Sequence, residues 1–166
     1  MKLRTLTLFA ALAALFVAGC GKKDTATAAA PAAPATAPAA GVRVIKVTAN
    51  DQMKFNVTAI ELKVGEEVKI TLTNIGTMPK QAMGHNLVVL KPGTDEMAFA
   101  TAAAPAAATE HIPDSMKDQV LFHTKMLGPK ESDTITVKFD QAGEYPFQCS
   151  FPAHFQVGMK GVITVK

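Results

Sequence analysis

Between residues 42 and 166, apolar side chains recur at alternate positions in short runs bounded by glycine, proline, asparagine and aspartate. Residues 132–139 are the clearest case, because Ile135, Val137 and Phe139 fall on one face of an extended chain. A period of two is typical of a half-buried strand. We predict strands at residues 42–49, 55–58, 60–64, 67–74, 86–90, 120–124, 132–139, 143–149 and 160–165. About eight short strands indicate an all-β, antiparallel Greek-key sandwich or barrel.

Residues 94–117 depart from this pattern. The segment is rich in alanine, carries scattered acidic residues and contains Pro105 and Pro113. Alanine favours helix and proline ends it, so we predict an insertion with one or two short helices that break at these prolines. His111 lies in the insertion, and we expect it to be exposed to solvent.

Residues 1–19 are organised like a lipoprotein signal peptide. Lys2 and Arg4 precede an apolar run at residues 6–18, which is shorter than the roughly 20 residues of a membrane-spanning helix. Residues 17–20, Val-Ala-Gly-Cys, resemble a bacterial lipobox, and the resemblance implies that Cys20 is acylated and becomes the mature N-terminus. Two acyl chains anchor a protein firmly. The alternative is a soluble secreted protein in which Cys20 has no role.

Residues 20–41 are predicted to be an acylated N-terminus followed by a disordered tether. Residues 24–41 contain ten alanines and three prolines and no large apolar side chain, so they cannot bury enough surface to offset the entropy of ordering. Such a spacer would let an anchored domain search for partners, although plain low-complexity filler is an alternative.

Charge excludes one class of partner for the predicted domain at residues 42–166. Of the 17 basic and 14 acidic residues of the chain, four basic and one acidic residue precede position 42, which leaves 13 of each. A neutral domain has no general attraction for a phosphate backbone, so nucleic-acid binding is not expected.

A metal-ligand pattern lies near the C-terminus. Cys149, His154 and Met159 follow one another at C-x4-H-x4-M spacing, and His85 lies at the start of a separate predicted strand. Taken singly, these residues are more often a buried apolar thiol, a surface imidazole and core filler. Together, two imidazoles and a thiolate with a weak thioether form the blue-copper set. Zinc is the weaker alternative, because structural zinc sites prefer more thiolates.

Residues 42–166 resemble a small blue-copper protein (cupredoxin) of the azurin and auracyanin type, and the leader and spacer are similar to those of lipid-modified azurins. The matching stretches are residues 78–86, 123–128 and 149–161. The resemblance implies one type-1 copper, Cu(I)/Cu(II), with equatorial ligands His85, Cys149 and His154. It also implies an axial Met159 and a weak contact from the Gly84 backbone carbonyl.

Three further residues are expected to support the site. Asn86 resembles the family asparagine that ties the two ligand loops together. We expect Ser150 to assist from the other loop, and Phe151 to pack beside the site and keep water away from it. Backbone N–H groups aimed at the Cys149 sulfur would stabilise its negative charge and tune the potential.

Electron transfer needs a short path to the surface, and we expect the His154 ring to reach the surface within an apolar docking patch. The expected members of this patch are Met78, Ala82, Met83, Ala153, Phe155 and Val157. The alternative is that Met78 and Met83 only close the end of the barrel.

These observations predict a one-electron carrier rather than an enzyme, because protein side chains fill the ligand positions. The carrier would be lipid-anchored in a bacterial cell envelope, facing the periplasm or in the outer membrane. A monomeric domain would dock transiently with redox proteins such as cytochromes or copper oxidases and reductases. The alternatives are a copper-trafficking or copper-buffering lipoprotein and a copper-free adhesin on the same fold.

Overall fold

The computed structural model describes residues 41–166, which form two β-sheets with short helices between strands. The signal peptide predicted at residues 1–19, the acylation of Cys20 and the tether up to residue 40 lie outside the described residues and stay predictions. Within the described part, no helix combines the length and the apolar content that crossing a bilayer requires.

Residues 41–166 contain nine strands and two α-helices, with two 3-10 helices at Ala107–Thr109 and Asp114–Gln119. In chain order they are β1 (Arg43–Asn50), β2 (Lys54–Phe55), β3 (Ala59–Leu62), β4 (Glu67–Asn74), α1 (Lys80–Met83), β5 (Val88–Leu90), α2 (Glu96–Ala103), β6 (Val120–His123), β7 (Ser132–Lys138), β8 (Gly143–Gln148) and β9 (Lys160–Val165). The all-β class with a short helical insertion is confirmed. Helix α1 was not predicted.

The strands divide into a sheet of order β2-β1-β4-β7 and a sheet of order β3-β9-β8-β5-β6. Most neighbours are antiparallel, as expected, but β1 runs parallel to β4 and β3 runs parallel to β9. The chain changes sheet between β1 and β4 through β2 and β3, so the two parallel partners are not joined by a hairpin.

The core lies between the sheets because the strands alternate as the sequence predicts. In β4, Val68, Ile70 and Leu72 are fully buried while the residues between them are more exposed. They pack with inward side chains of the facing sheet such as Phe147 and Ile163. Cys149 and Met159 belong to this core at one end of it.

Helix α2 covers the outer face of the second sheet. The Asp95 carboxylate caps it by accepting from the Ala98 amide at 2.9 Å. Its Phe99 packs against Val88, Leu90 and other apolar residues in a second buried cluster. His111 lies beside this cluster and is only 8% exposed, so the expectation that it faces solvent is wrong. Its imidazole faces the end of α2, where Nδ1 hydrogen-bonds to the Ala103 carbonyl at 2.9 Å.

Candidate metal centre

His85 is held between α1 and β5 by its own backbone. Its amide donates to the Leu127 carbonyl at 3.1 Å, and the Leu127 amide donates to the His85 carbonyl at 2.8 Å. The residue before it must be glycine, because a Cβ on Gly84 would lie 2.7 Å from the Lys80 carbonyl oxygen and 3.0 Å from Met126 Sδ. The backbone of His85 is therefore fixed by hydrogen bonds to Leu127 and by close packing around Gly84.

The loop between β8 and β9 folds back on itself. The Cys149 amide donates to the Met159 carbonyl at 3.0 Å, the Met159 amide donates to the His154 carbonyl at 3.0 Å, and the His154 amide donates to the Phe151 carbonyl at 3.1 Å. Ala153 takes a left-handed φ of 67° where the loop turns. These bonds bring three widely spaced side chains of one loop to the same end of the core.

Three of the predicted ligands meet in one buried cluster. The potential ligand atoms of His85, Cys149 and His154 all lie within 4.8 Å of one another. Cys149 Sγ is 3.4 Å from His154 Nδ1, and the two imidazole rings have centroids 4.9 Å apart. His85 and Cys149 are fully buried and His154 is 2% exposed.

Protein groups do not satisfy all the hydrogen-bonding atoms of this cluster. Neither nitrogen of the buried His85 ring has a hydrogen-bond partner, and an unpaired buried imidazole is costly. One thiol and two imidazoles are the donors that copper prefers. The residues therefore fit a copper ion. Met159 is also fully buried at this end of the core, but its role as the axial ligand, and that of the Gly84 carbonyl, remain predictions.

The electrostatics of the metal-free cluster favour neutral side chains. Burial raises the pKa of Cys149 to about 12, and the backbone groups of Asn86 and Phe151 oppose that shift. Burial, with help from the charges of His85 and His111, lowers the pKa of His154 to about 4. Burial also lowers the pKa of His85, against the backbone of Asn50 and the carboxylate of Asp51. Without metal the thiol keeps its proton and the imidazoles have lone pairs free.

The residues expected to support the site lie around it. Asn86 Oδ1 accepts from the Ser150 amide at 2.9 Å, and Asn86 Nδ2 donates to Ser150 Oγ at 2.8 Å. These bonds join the loop of His85 to the loop of His154. The Phe151 ring lies 4.7 Å from the His154 ring, centroid to centroid.

The expected docking patch is only partly formed. Met78 and Val157 are 40% and 43% exposed, Ala82 and Ala153 are exposed, and Met83 is half-buried. Phe155, however, is only 7% exposed, so the expectation that its ring is a surface contact is wrong. The Lys160 ammonium lies 4.7 Å from the centroid of that ring. The His154 ring is likewise nearly covered, contrary to expectation.

Sequence reasoning missed one group of residues at the site, all in or after the insertion. The Glu110 carbonyl accepts from Asn86 Nδ2 at 3.3 Å, the Glu110 carboxylate accepts from the Met126 amide at 3.2 Å, and the His111 ring meets Phe151 edge-on at 5.2 Å. The segment at residues 94–117 contains no motif that predicts such contacts. It is also distant in sequence from the loop of His154, so spacing along the chain gives no sign of them.

Comparison with known proteins agrees with this geometry. Residues 42–166 match the family model of copper-binding proteins of the plastocyanin/azurin family. The chain is 38% identical to an azurin of Pseudomonas fluorescens biotype B over 124 residues, which cover 72% of this chain and 95% of the relative. It is 41% identical to the outer membrane protein H.8 of Neisseria meningitidis over 132 residues, 76% of this chain and 69% of the relative.

Among solved structures, reduced auracyanin of Roseiflexus castenholzii superposes with a TM-score of 0.66 at 31% identity. The superposition covers 76% of this chain and 99% of the auracyanin.

Proposed function

We propose that this chain, which belongs to the plastocyanin/azurin family of copper-binding proteins, is a blue-copper electron carrier tethered to the cell envelope. The observation that carries the proposal is the buried cluster of one thiol and two imidazoles, whose ligand atoms lie within 4.8 Å of one another. Copper, when bound, supplies a one-electron change between Cu(I) and Cu(II). The carrier would pass that electron between redox partners through His154.

The chain contributes a rigid, dry set of donors. The thiolate of Cys149 and the imidazoles of His85 and His154 would hold the copper, with the Met159 thioether as a weaker donor. The hydrogen bonds between Asn86 and Ser150 hold the two ligand loops together. Because these loops are buried and joined by hydrogen bonds, a change of charge at the site would move them little.

The same arrangement argues against a catalytic role. Catalytic metals keep an open position for substrate or water. Here the donors are fully or almost fully buried, and the proposed ligand set comes entirely from the protein. We therefore propose a carrier and no enzymatic activity.

An envelope location follows from two features. Residues 1–20 have the pattern of a lipoprotein signal ending at Cys20, and one relative at 41% identity is named as an outer membrane protein. Transient docking with redox proteins such as cytochromes would use the apolar surface around Met78 and Val157, both substantially exposed.

An optical and paramagnetic-resonance spectrum of the Cu(II)-loaded protein tests the carrier function. We expect the intense blue of a copper–thiolate centre, and Cys149→Ser should abolish it while the protein stays folded. His123→Ser is the matched control, since His123 is exposed on β6. A colourless cuprous product from the unmodified chain would instead support a copper-trafficking protein.

The anchor is tested separately by membrane fractionation of the full chain. Cys20→Ala should release the protein from membranes, whereas Cys149→Ser should leave it bound. Continued fractionation of Cys20→Ala with lipid would contradict acylation at this cysteine.

A further inference from the structure

The insertion between β5 and β6 turns back toward the metal centre at two consecutive residues with left-handed backbone. Glu110 has a φ of 54° and His111 a φ of 61°, a conformation that is uncommon outside glycine. The turn directs both residues toward the ligand loops. We call Glu110 and His111 the insertion corner.

Glu110 contacts the surroundings of ligand His85. Its carboxylate accepts from the Met126 amide at 3.2 Å, and Met126 packs its sulfur against Gly84, the residue before His85. The next residue, Leu127, pairs with His85 through two backbone hydrogen bonds. Glu110 therefore supports the short bridge that fixes the His85 backbone.

His111 contacts the surroundings of ligand His154. The carbonyl of Ala103 can only accept, so the hydrogen bond at 2.9 Å requires the proton on His111 Nδ1 and fixes the ring. The fixed ring meets the Phe151 ring edge-on at 5.2 Å, and Phe151 in turn lies 4.7 Å from the His154 ring. This is a continuous packed path from the end of α2 to a ligand.

We propose that the insertion corner is a positioning element of the copper site, with His111 as the residue that holds Phe151 against His154. The proposal goes beyond ligand assignment, although it rests on the copper centre of the proposed function. Because the corner contacts both ligand loops, it restrains the two imidazoles relative to each other. The corner would thereby tune the reduction potential and limit ligand movement during electron transfer.

His111→Asn is the decisive variant. Asparagine tolerates a left-handed backbone and keeps a donor near the place of Nδ1, but it has no ring to contact Phe151. In the copper-loaded protein we expect a shifted reduction potential, an altered copper–thiolate spectrum and slower electron self-exchange. In the metal-free protein we expect broadened His154 ring resonances by nuclear magnetic resonance, a readout that needs no copper.

His123→Asn is the matched control, because it makes the same substitution at an exposed histidine. It should leave all four measurements unchanged. If His111→Asn also leaves them unchanged in a protein that is blue, the proposal fails while the carrier function stands. If the unmodified chain does not become blue, the carrier function fails instead.

A second pair decides the matter if His111→Asn does not fold. Glu110→Gln keeps an oxygen that can accept from the Met126 amide, and Glu110→Ala does not. We expect Glu110→Ala to speed hydrogen exchange of the Met126 amide and to shift the potential, with Glu110→Gln close to wild type. Equal behaviour of the two variants would overturn the role of the corner.

Discussion

Cys149 and His154 lie side by side in the metal-free protein, and burial keeps both side chains neutral. The pKa of the Cys149 thiol is raised to about 12, so it carries its proton at neutral pH. The pKa of His154 is lowered to about 4, so at neutral pH its ring is uncharged and one nitrogen has a lone pair free for a metal. Copper binds the thiolate and the neutral imidazole. Only the cysteine must therefore lose a proton when the metal enters.

Copper binding should release about one proton per metal ion between about pH 7 and pH 8, where the lowered pKa values of His85 and His154 leave both imidazoles neutral. Affinity should accordingly rise about tenfold for each unit of pH across this range. Anaerobic calorimetry with Cu(I), repeated in buffers of different ionisation enthalpy, counts the protons. Cys149→Ser should release none. Release of two protons at pH 7 would mean that an imidazole is protonated in the metal-free site and would contradict the expectation.

Gln148, which precedes Cys149 in the chain, has a buried side-chain amide without a hydrogen-bond partner in the protein. It is fully buried, and neither its amide nitrogen nor its amide oxygen has a partner within the protein. Its side chain points away from the core that contains Cys149, since successive residues of a strand face opposite sides. An unpaired buried polar group costs about 1–3 kcal/mol.

Gln148→Met should stabilise the metal-free domain by about 1–3 kcal/mol, because methionine has a similar length and no amide to satisfy. Urea unfolding followed by circular dichroism measures the change. Gln52→Met, at an exposed position, should stay within about 0.5 kcal/mol of wild type. A loss of stability in Gln148→Met would contradict this expectation.

At the scale of elements, α2 packs on the outer face of the second sheet through one large buried side chain, Phe99. Phe99 is fully buried, with 0% of its surface accessible to solvent, whereas Met97 on the same helix is 51% exposed. Phe99 joins the helix to Val88 and Leu90 on β5. The helix is short, so its stability comes from this packing more than from its alanine content.

Phe99→Ala should destabilise the domain by about 3–5 kcal/mol, the usual cost of removing a buried aromatic ring. Met97→Ala should change stability by less than about 0.5 kcal/mol. Denaturant titration of both metal-free variants gives the comparison. Equal small effects would mean that α2 is not anchored through Phe99.

The elements that the sequence predicted well are those with local patterns. Alternation in β4 and β7 is visible in a single strand, because one face of each lies on the core. The parallel pairing of β1 with β4 was not visible, because it depends on which sheet each strand joins. Helix α1 has only four residues, too few for a helical period.

The same division holds within the site. Cys149 and His154 lie together as their spacing predicted, because one short loop fixes their distance. The exposure of His111 and Phe155 was predicted wrongly. Burial of His111 depends on residues from other parts of the chain, and that of Phe155 on a long side chain that lies over its ring. Ala103 and Phe151 cover His111, and Lys160 lies over Phe155. Alternation and spacing carry no information on such contacts.

At the largest scale, the domain formed by the described residues 41–166 has two distinct ends. Strand β1 ends at Asn50, and the next residue, Asp51, accepts hydrogen bonds from the Thr77 amide and hydroxyl beside the metal loops. Val44 lies near the start of the same strand, about 20 Å away along it at the usual rise per residue. Val44 and Val157 are similarly exposed, at 50% and 43%. They are therefore a matched pair of surface valines, one at each end of the domain.

Val157→Asp should slow electron self-exchange between two copies of the copper-loaded protein by about tenfold or more. Two docked copies would bring the new carboxylates together at the metal end, and like-charge contacts cost enough to produce such a change. Val44→Asp adds the same charge at the far end and should leave the rate near wild type, which separates docking from net charge. Line broadening in mixtures of oxidised and reduced protein measures the rate, and an unchanged reduction potential shows that the site itself is intact. If both variants slow exchange equally, or neither does, electrons do not leave through the surface around Val157.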